Sequence, residues 1–445
     1  DVHGNSPYQA LSAFAGNPLL VDLRALADRG YLDASALDPP SEADDEEVAY
    51  AAVTEFKQDR LRTAFERFDA DADEDERAAF AAFRERAADW LDDYALFRAL
   101  RDDRGGPWTE WPGPIRERDP EALAAEREAH ADEIRFRAFV QWCFDRQWRA
   151  LREYAADRGV RFVGDLPIYV AFDSADVWAS PEAFDLTDEH RPAAVAGVPP
   201  NPGDDGQRWG NPLYDWDRLR EDGYEWWLAR LRRLFEFVDI ARIDHVKGFD
   251  AYWAIPADAD DPAAGEWRDG PGADFFAAAE RELGDLPFVV EDLGFLDAGL
   301  ESIKSEFDLP GMRVPHYADW CSEGDRHQPM HYPADAIGYT STHDTDTLVG
   351  YYRDLPARQR DCLHFNLGTD GAEINWDVIE AVWHSEAALA LTTVPDLLGC
   401  GSEARFNTPG TATGNWRWRA TAEDFSAAVA DRLSDVTAAS GRERP

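Results

Sequence analysis

Three acidic positions stand where buried strands would ordinarily end on apolar residues. They are Asp244 in Ala241-Arg242-Ile243-Asp244-His245, the pair Glu291-Asp292 after Phe288-Val289-Val290, and Asp344 in Tyr339-Thr340-Ser341-Thr342-His343-Asp344. An ionised carboxylate is costly to desolvate without a partner, so an apolar strand that finishes on one has a use for it. A barrel whose strand ends line an active site needs this arrangement. Three such groups, one or two strand–helix units apart, point to chemistry on a glycosidic bond.

Side chains alternate along a strand, so Ile240, Arg242 and Asp244 share one face and Ala241 and Ile243 the other. The small apolar pair suits packing against helices, which leaves Arg242 and Asp244 at the barrel mouth. An arginine on the same face is expected to hold Asp244 ionised, as a nucleophile requires. The blander reading is a buried structural Arg–Asp pair. Glycosyl transfer with retention needs a second carboxyl, protonated first and basic later, roughly 5 Å from the nucleophile. Apolar surroundings would raise its pKa toward that role. Spacing leaves Glu291 and Asp292 both open for it, although Asp292 also suits the N-cap of a following helix. His343 beside Asp344 suits hydrogen bonding to vicinal sugar hydroxyls. His316, His327, His331 and His343 match no metal-ligand spacing, so no metal is expected. The segment Val198–Tyr214 combines prolines, glycines, amides and two aromatics, and Trp209 is the tryptophan whose context argues for a ligand.

These side chains need a scaffold. From residue 159 onward strand and helix patterns alternate: strands at 160–170, 238–244, 288–293, 336–342 and 390–394, helices at 217–237, 273–284, 297–307 and 373–389. Such alternation predicts a parallel sheet covered by helices. Polar residues at the C-terminal strand ends favour an α/β TIM (β/α)8 barrel over an open sheet. Residues 33–158 are rich in Ala, Arg, Glu and Asp with apolar residues at helical spacing, and read as a helical insertion. The division expected is 1–32 as the start of the barrel, 33–158 as the insertion and 159–445 as the remainder. The acid runs 41–47 and 69–76 read as solvated loops or helix starts. No Gly-x-Gly-x-x-Gly follows a strand and no phosphate-binding lysine loop occurs, so no nucleotide cofactor is expected.

Charge narrows the partners. Asp plus Glu number 89 against 45 Lys plus Arg, a formal net charge of −44, and only Lys57, Lys247 and Lys304 are lysines. Nucleic acid and anionic lipid would be repelled. Self-repulsion on this scale is screened only at molar salt, where the Debye length is about 3 Å. The composition therefore predicts a salt-filled cytoplasm, that of a halophilic archaeon. No stretch approaches a membrane span and no signal peptide opens the chain. Because the first residue is Asp1, residues are expected ahead of it. Cys143, Cys321, Cys362 and Cys400 are scattered without a paired spacing, so reduced, mostly buried thiols are expected.

The ordered set of motifs resembles the 4-α-glucanotransferases of the amylomaltase family, glycoside hydrolase family 77, a branch of the α-amylase clan. It runs from Ser6-Pro7-Tyr8-Gln9 through Gly164-Asp165-Leu166-Pro167, residues 197–216, Arg242-Ile243-Asp244-His245, Glu291-Asp292-Leu293-Gly294 and Thr342-His343-Asp344. It continues through Asp396-Leu397-Leu398-Gly399 and Gly401-Ser402-Glu403-Ala404-Arg405 to Asn407-Thr408-Pro409-Gly410 and residues 414–418. The resemblance implies Asp244 as nucleophile, Glu291 as acid/base and Asp344 as transition-state stabiliser. It implies Tyr8, Asp165, Trp209, Asn211, Arg242, His245 and His343 as substrate-binding residues, with no metal or organic cofactor. Maltooligosaccharides and starch- or glycogen-type α-1,4-glucans would be the partners. The same resemblance implies a first barrel strand ahead of Asp1. His3 departs from a tyrosine expected there, Lys247 from an arginine and Ser341 from a glycine. Two rival readings are an α-amylase-type hydrolase, with water as acceptor, and a non-catalytic glucan-binding barrel.

Overall fold

The computed structural model describes residues 5–40, 46–201 and 205–443. His3, residues 41–45 of the first acid run and residues 202–204 of the proline/glycine segment lie outside them. Among the described residues ten strands occur: β1 (Val163–Leu166), β2 (Ala194–Val198), β3 (Gln207–Pro212), β4 (Ile240–Ile243), β5 (Ala251–Pro256), β6 (Glu266–Asp269), β7 (Phe288–Val290), β8 (Gly311–Arg313), β9 (Ala336–Tyr339) and β10 (Leu389–Leu391). Six of them make one parallel sheet in the order β1-β4-β7-β8-β9-β10. Neighbours follow chain order, with α-helices on every connection except β8 to β9, which carries only 3-10 turns, and this is the TIM-type α/β arrangement. A closed barrel has eight strands; six are present among the described residues.

Phe288-Val289-Val290 is buried along its whole length, as a parallel strand covered on both faces must be. The helix Glu225–Phe235 packs through Trp227, Leu228 and Leu231, at helical spacing. Residues 50–156 hold the long helices Tyr50–Asp71, Glu74–Arg86, Ala88–Arg104 and Ala131–Ala156. Their aromatic interior (Phe65, Phe68, Phe80, Phe139) is continuous with the core that contains Leu166, Ile168 and Ile243. In the second acid run, Asp73 accepts from the Glu76 N–H at 2.9 Å and opens a helix whose first turn is acidic. That placement suits the positive end of the helix dipole.

Several elements differ from the sequence reading. The first strand is four residues, not eleven, because Pro167 supplies no N–H to extend the ladder. The helix expected to reach 389 ends at Trp383. Strand β8 and the helices Leu348–Asp354 and Ala357–Leu367 are additional to the elements expected from the sequence. So is a second sheet, antiparallel, in the order β3-β2-β5-β6. A three-residue strand of Gly, Met and Arg has no hydrophobic signature. The thiols also depart from expectation: Cys321 and Cys362 form a disulfide across 41 residues. Their Cα atoms are 5.3 Å apart, because the loop after β8 lies against the helix Ala357–Leu367. Cys143 is a buried free thiol, as expected, and Cys400 is a half-buried one.

Candidate active site

Parallel register places the first group of side chains. Asp165 on β1 lies opposite Arg242 on β4, and Arg242 opposite Val289 on β7. Arg242 is buried and its Nη1 donates to Asp165 Oδ1 at 2.6 Å while forming an ion pair with Asp244 Oδ1 at 2.9 Å. One guanidinium thus ties two strand ends together.

The residue after Asp244 turns sharply. His245 has φ 55°, which for a non-glycine residue is strained and costs about 1–3 kcal/mol. The turn aims the His245 N–H at Glu291 Oε2, 3.1 Å away, while the Leu293 N–H donates to Glu291 Oε1 at 2.8 Å. The His245 ring meets Trp209 edge to face at 5.0 Å, and burial, with Lys247, lowers its pKa to about 4, so it is neutral. Trp209 Nε1 donates to Gln207 Oε1 at 2.9 Å.

Asp344 stands in the turn after β9. The Asn407 amide donates to its Oδ1 at 2.6 Å, and His343 Nε2 is 3.1 Å from its Oδ2. Tyr8, in the 3-10 turn Pro7–Gln9, shares a hydrogen bond with His343 Nε2 and donates to Asp165 Oδ2 at 3.4 Å. Tyr8, His343 and Trp416 form a ring cluster with centroids 5.6–6.0 Å apart. Asn211 is buried and spends its amide on protein, donating to the Val170 carbonyl at 2.8 Å and accepting from Gln9 Nε2 at 3.2 Å. It fixes the strand that carries Trp209 to the segment that carries Tyr8.

Burial pushes Asp244 up to about 7, with Asp165, Glu291 and Asp344 adding to the rise and Arg242 opposing it. The expected ion pair is present, but alone it does not hold Asp244 at an ordinary carboxylate value. Burial also raises Glu291, against Arg242 and its two backbone donors. Asp344 goes the other way: burial would raise it, yet His343, Asn407 and Arg242 hold it below the usual range. Burial would lower His343, but Asp344 and Asp165 leave it raised. The site therefore contains two carboxyls biased toward protonation and one biased toward charge.

Asp292 is not a helix cap; Asp297 caps the next helix, accepting from the Leu300 N–H at 3.1 Å. Asp292 is buried instead among Lys304 at 2.7 Å, Arg326 at 3.1 Å and Arg313 at 3.3 Å, and it accepts from the Met312 N–H at 2.8 Å. Gly311 is required beside it, since a Cβ there would lie 2.2 Å from Asp292 Oδ2. Burial opposes its charge, but the three cations win and its pKa is lowered. It therefore stabilises the fold above its unfolded value, and this is lost as pH falls through the folded one. Asp292→Asn should cost about 3–5 kcal/mol, read as a lower urea midpoint, because the cations lose their counter-charge. An unchanged midpoint would contradict this role.

Several residues here lacked an assigned role from sequence. Asn407 and Arg405 hold Asp344, the latter by donating to its carbonyl at 2.7 Å. Asp396, fully buried, accepts from Thr340 Oγ1 at 2.7 Å, Ser341 Oγ at 2.6 Å and the Leu348 N–H at 2.8 Å, fixing both ends of the turn that bears Asp344. Tyr317, 47 % exposed, feels Glu291 and Asp344, which together with burial of its hydroxyl raise it to about 12. The only signal for the first three was membership of an ordered motif. Among the described residues no group of three or more His, Cys, Asp or Glu side chains could hold a metal ion.

A parallel barrel-type sheet with carboxyls and an arginine at its C-terminal strand ends defines an α/β enzyme equipped for glycosyl chemistry. Comparison with known proteins narrows the class. The family model described as 4-alpha-glucanotransferase, glycoside hydrolase family 77, matches residues 1–424. The chain is 43 % identical to a 4-alpha-glucanotransferase of Thermus thermophilus over 99 % of its own length and 89 % of that protein. It is 40 % identical to one from Synechocystis over 99 % and 88 %. An amylomaltase of Streptococcus agalactiae, solved in complex with acarbose, superposes with a TM-score of 0.95 at 34 % identity, covering 99 % of this chain and 90 % of that one. The chain belongs to the 4-alpha-glucanotransferase family, glycoside hydrolase family 77. Glucan transfer, rather than hydrolysis, is the activity that this membership supports. No helix among the described residues is long and apolar enough to cross a membrane.

Proposed function

We propose that the chain transfers segments of α-1,4-glucans by double displacement on Asp244. The observation that carries this is the pair Asp244 and Glu291, both raised by burial, with only Asp244 ion-paired to Arg242. Two carboxyls that interact this way titrate as a pair. The ion pair of Arg242 with Asp244 supports assigning the negative charge to Asp244 and the proton to Glu291. Asp244 Oδ attacks C1 of the donor sugar, the C1–O4 bond breaks, and the Glu291 proton passes to the departing O4. The 4-hydroxyl of an acceptor glucan then attacks C1, giving its proton to Glu291 as the bond to Asp244 breaks. Asp344, charged and fixed by Asn407, faces the positive charge that builds on the ring. Tyr8, Asp165, Arg242 and His343 hold the donor sugar, and Trp209 with His245 covers the acceptor side. Asn211 supports the site by positioning Tyr8 and Trp209. Maltooligosaccharides and starch- or glycogen-type glucans are the substrates.

Incubation with maltotriose in concentrated salt tests the reading. Transfer gives glucose and a ladder of longer oligosaccharides; glucose and maltose alone would overturn it. Salt is part of the proposal, because the net charge of −44 supports a salt-filled cytoplasm as the working medium. Raising KCl from 0.1 M to 3 M should lift Tm by more than about 10 °C as self-repulsion is screened. A Tm indifferent to salt would contradict the halophilic assignment.

A further inference from the structure

Large apolar side chains are exposed at a dozen positions, but among the described residues only Trp267 and Phe295 pair ring to ring with each other. Trp267 is 41 % exposed and Phe295 40 %, their centroids 5.8 Å apart, with the 36 % exposed Leu296 beside them. An apolar platform is out of character on so acidic a surface.

Its position is set by three elements. Trp267 lies on β6, the edge strand of the antiparallel sheet, opposite Trp253 on β5 at 5.3 Å. Trp253 is fixed, donating from Nε1 to the Pro262 carbonyl at 2.8 Å. Lys247, three residues after Asp244, places Nζ 5.6 Å from the Trp267 ring centre and is ion-paired to Asp297. Phe295 follows Glu291 by four residues in the loop after β7, so their Cα atoms are at most about 14 Å apart. The platform therefore stands on the catalytic rim, on the side of the acid/base. The Tyr8, Asp165 and His343 cluster belongs to other strand ends. Trp267 Nε1 makes no hydrogen bond among the described residues.

We propose that Trp267 and Phe295 form an outer acceptor subsite that binds a glucan several sugars from the reacting bond. This rests on the reading of the site as one for glucan transfer. The apolar faces of pyranose rings stack on such a platform, the free indole N–H donates to a hydroxyl, and a neutral chain meets no repulsion from the acidic surface. A glucose acceptor fills only the innermost position and does not reach it; a hexasaccharide does. The outer subsite favours long acceptors.

The test compares maltohexaose with glucose as acceptors for one donor. Trp267→Ala should lower the ratio of their kcat/KM values about tenfold, Phe295→Ala about threefold, and Trp267→Phe should restore most of the ratio. An unchanged ratio, or an equal loss with both acceptors as expected of a structural role beside Trp253, would overturn the proposal. If the unaltered protein transfers to neither acceptor, it is the transferase reading that fails. Maltohexaose binding to the Asp244→Asn protein then decides the platform: a tenfold weakening by added Trp267→Ala supports it, and equal affinity refutes it.

Discussion

Asp244→Asn should abolish transfer and yet yield a more stable protein. The amide cannot form the ester to C1, so kcat should fall by at least about 10⁴-fold, about 5 kcal/mol in activation free energy. The stability change follows from the same burial. A carboxyl whose folded pKa stands above its unfolded value costs stability as pH rises from the unfolded value to the folded one. Burial, helped by Asp165, Glu291 and Asp344, takes Asp244 to about 7. The full shift from about 3.9 corresponds to about 4 kcal/mol. The Asp244 side chain is 23 % exposed, which screens part of it, so about 1–3 kcal/mol is expected. At pH 8 the variant should therefore melt several degrees above the parent. Below the unfolded value both states are protonated and the gain should vanish. An Asp244→Asn protein less stable than its parent at pH 8 would show that Arg242 needs this charge more than burial opposes it.

Glu291→Ala should separate the two displacements. Transfer from glucan donors, whose leaving oxygen needs a proton, should fall about 10³–10⁴-fold. A maltosyl fluoride donor needs no protonation, so its first step should suffer far less. Azide should then accelerate turnover and give the α-glycosyl azide, since the anion attacks the Asp244 ester without a base. The alkaline limb of the kcat/KM profile should also disappear. The parent is active only while the raised Glu291 keeps its proton and loses activity as pH rises through its pKa. If Asp292→Asn rather than Glu291→Ala showed this signature, the two roles would have to be exchanged. The structure argues against exchange: Asp292 has no exposed side-chain surface and is ringed by Lys304, Arg313 and Arg326.

That choice shows what a sequence can reveal here and what it withholds. Strand parity placed Arg242 and Asp244 on one face because alternation is local and needs only four consecutive residues. Nothing local distinguished Glu291 from Asp292. Their difference lies in partners: a backbone N–H made available by the strained His245, against cations 12, 21 and 34 residues further on. The same distance hid Asn407 and Asp396, which hold the Asp344 turn from segments more than 50 residues away. The Cys321–Cys362 bond was hidden too, because a disulfide depends on where loops meet. The long helices were legible from their periodicity. The antiparallel sheet was not, since its strands run four to six residues and several contain glycine or proline. That sheet carries both Trp209 and Trp267, so the acceptor side was the least legible part of the site.

In double displacement a glucosyl unit passes through a covalent bond to Asp244. Brief reaction of the Glu291→Ala protein with maltosyl fluoride, acid quenching, and mass spectrometry of the proteolytic peptides test it directly. A maltosyl mass increment is expected on the peptide containing Asp244, absent from the Asp244→Asn, Glu291→Ala double variant and discharged by added azide. An increment on another residue, or none while the fluoride is still consumed, would contradict it.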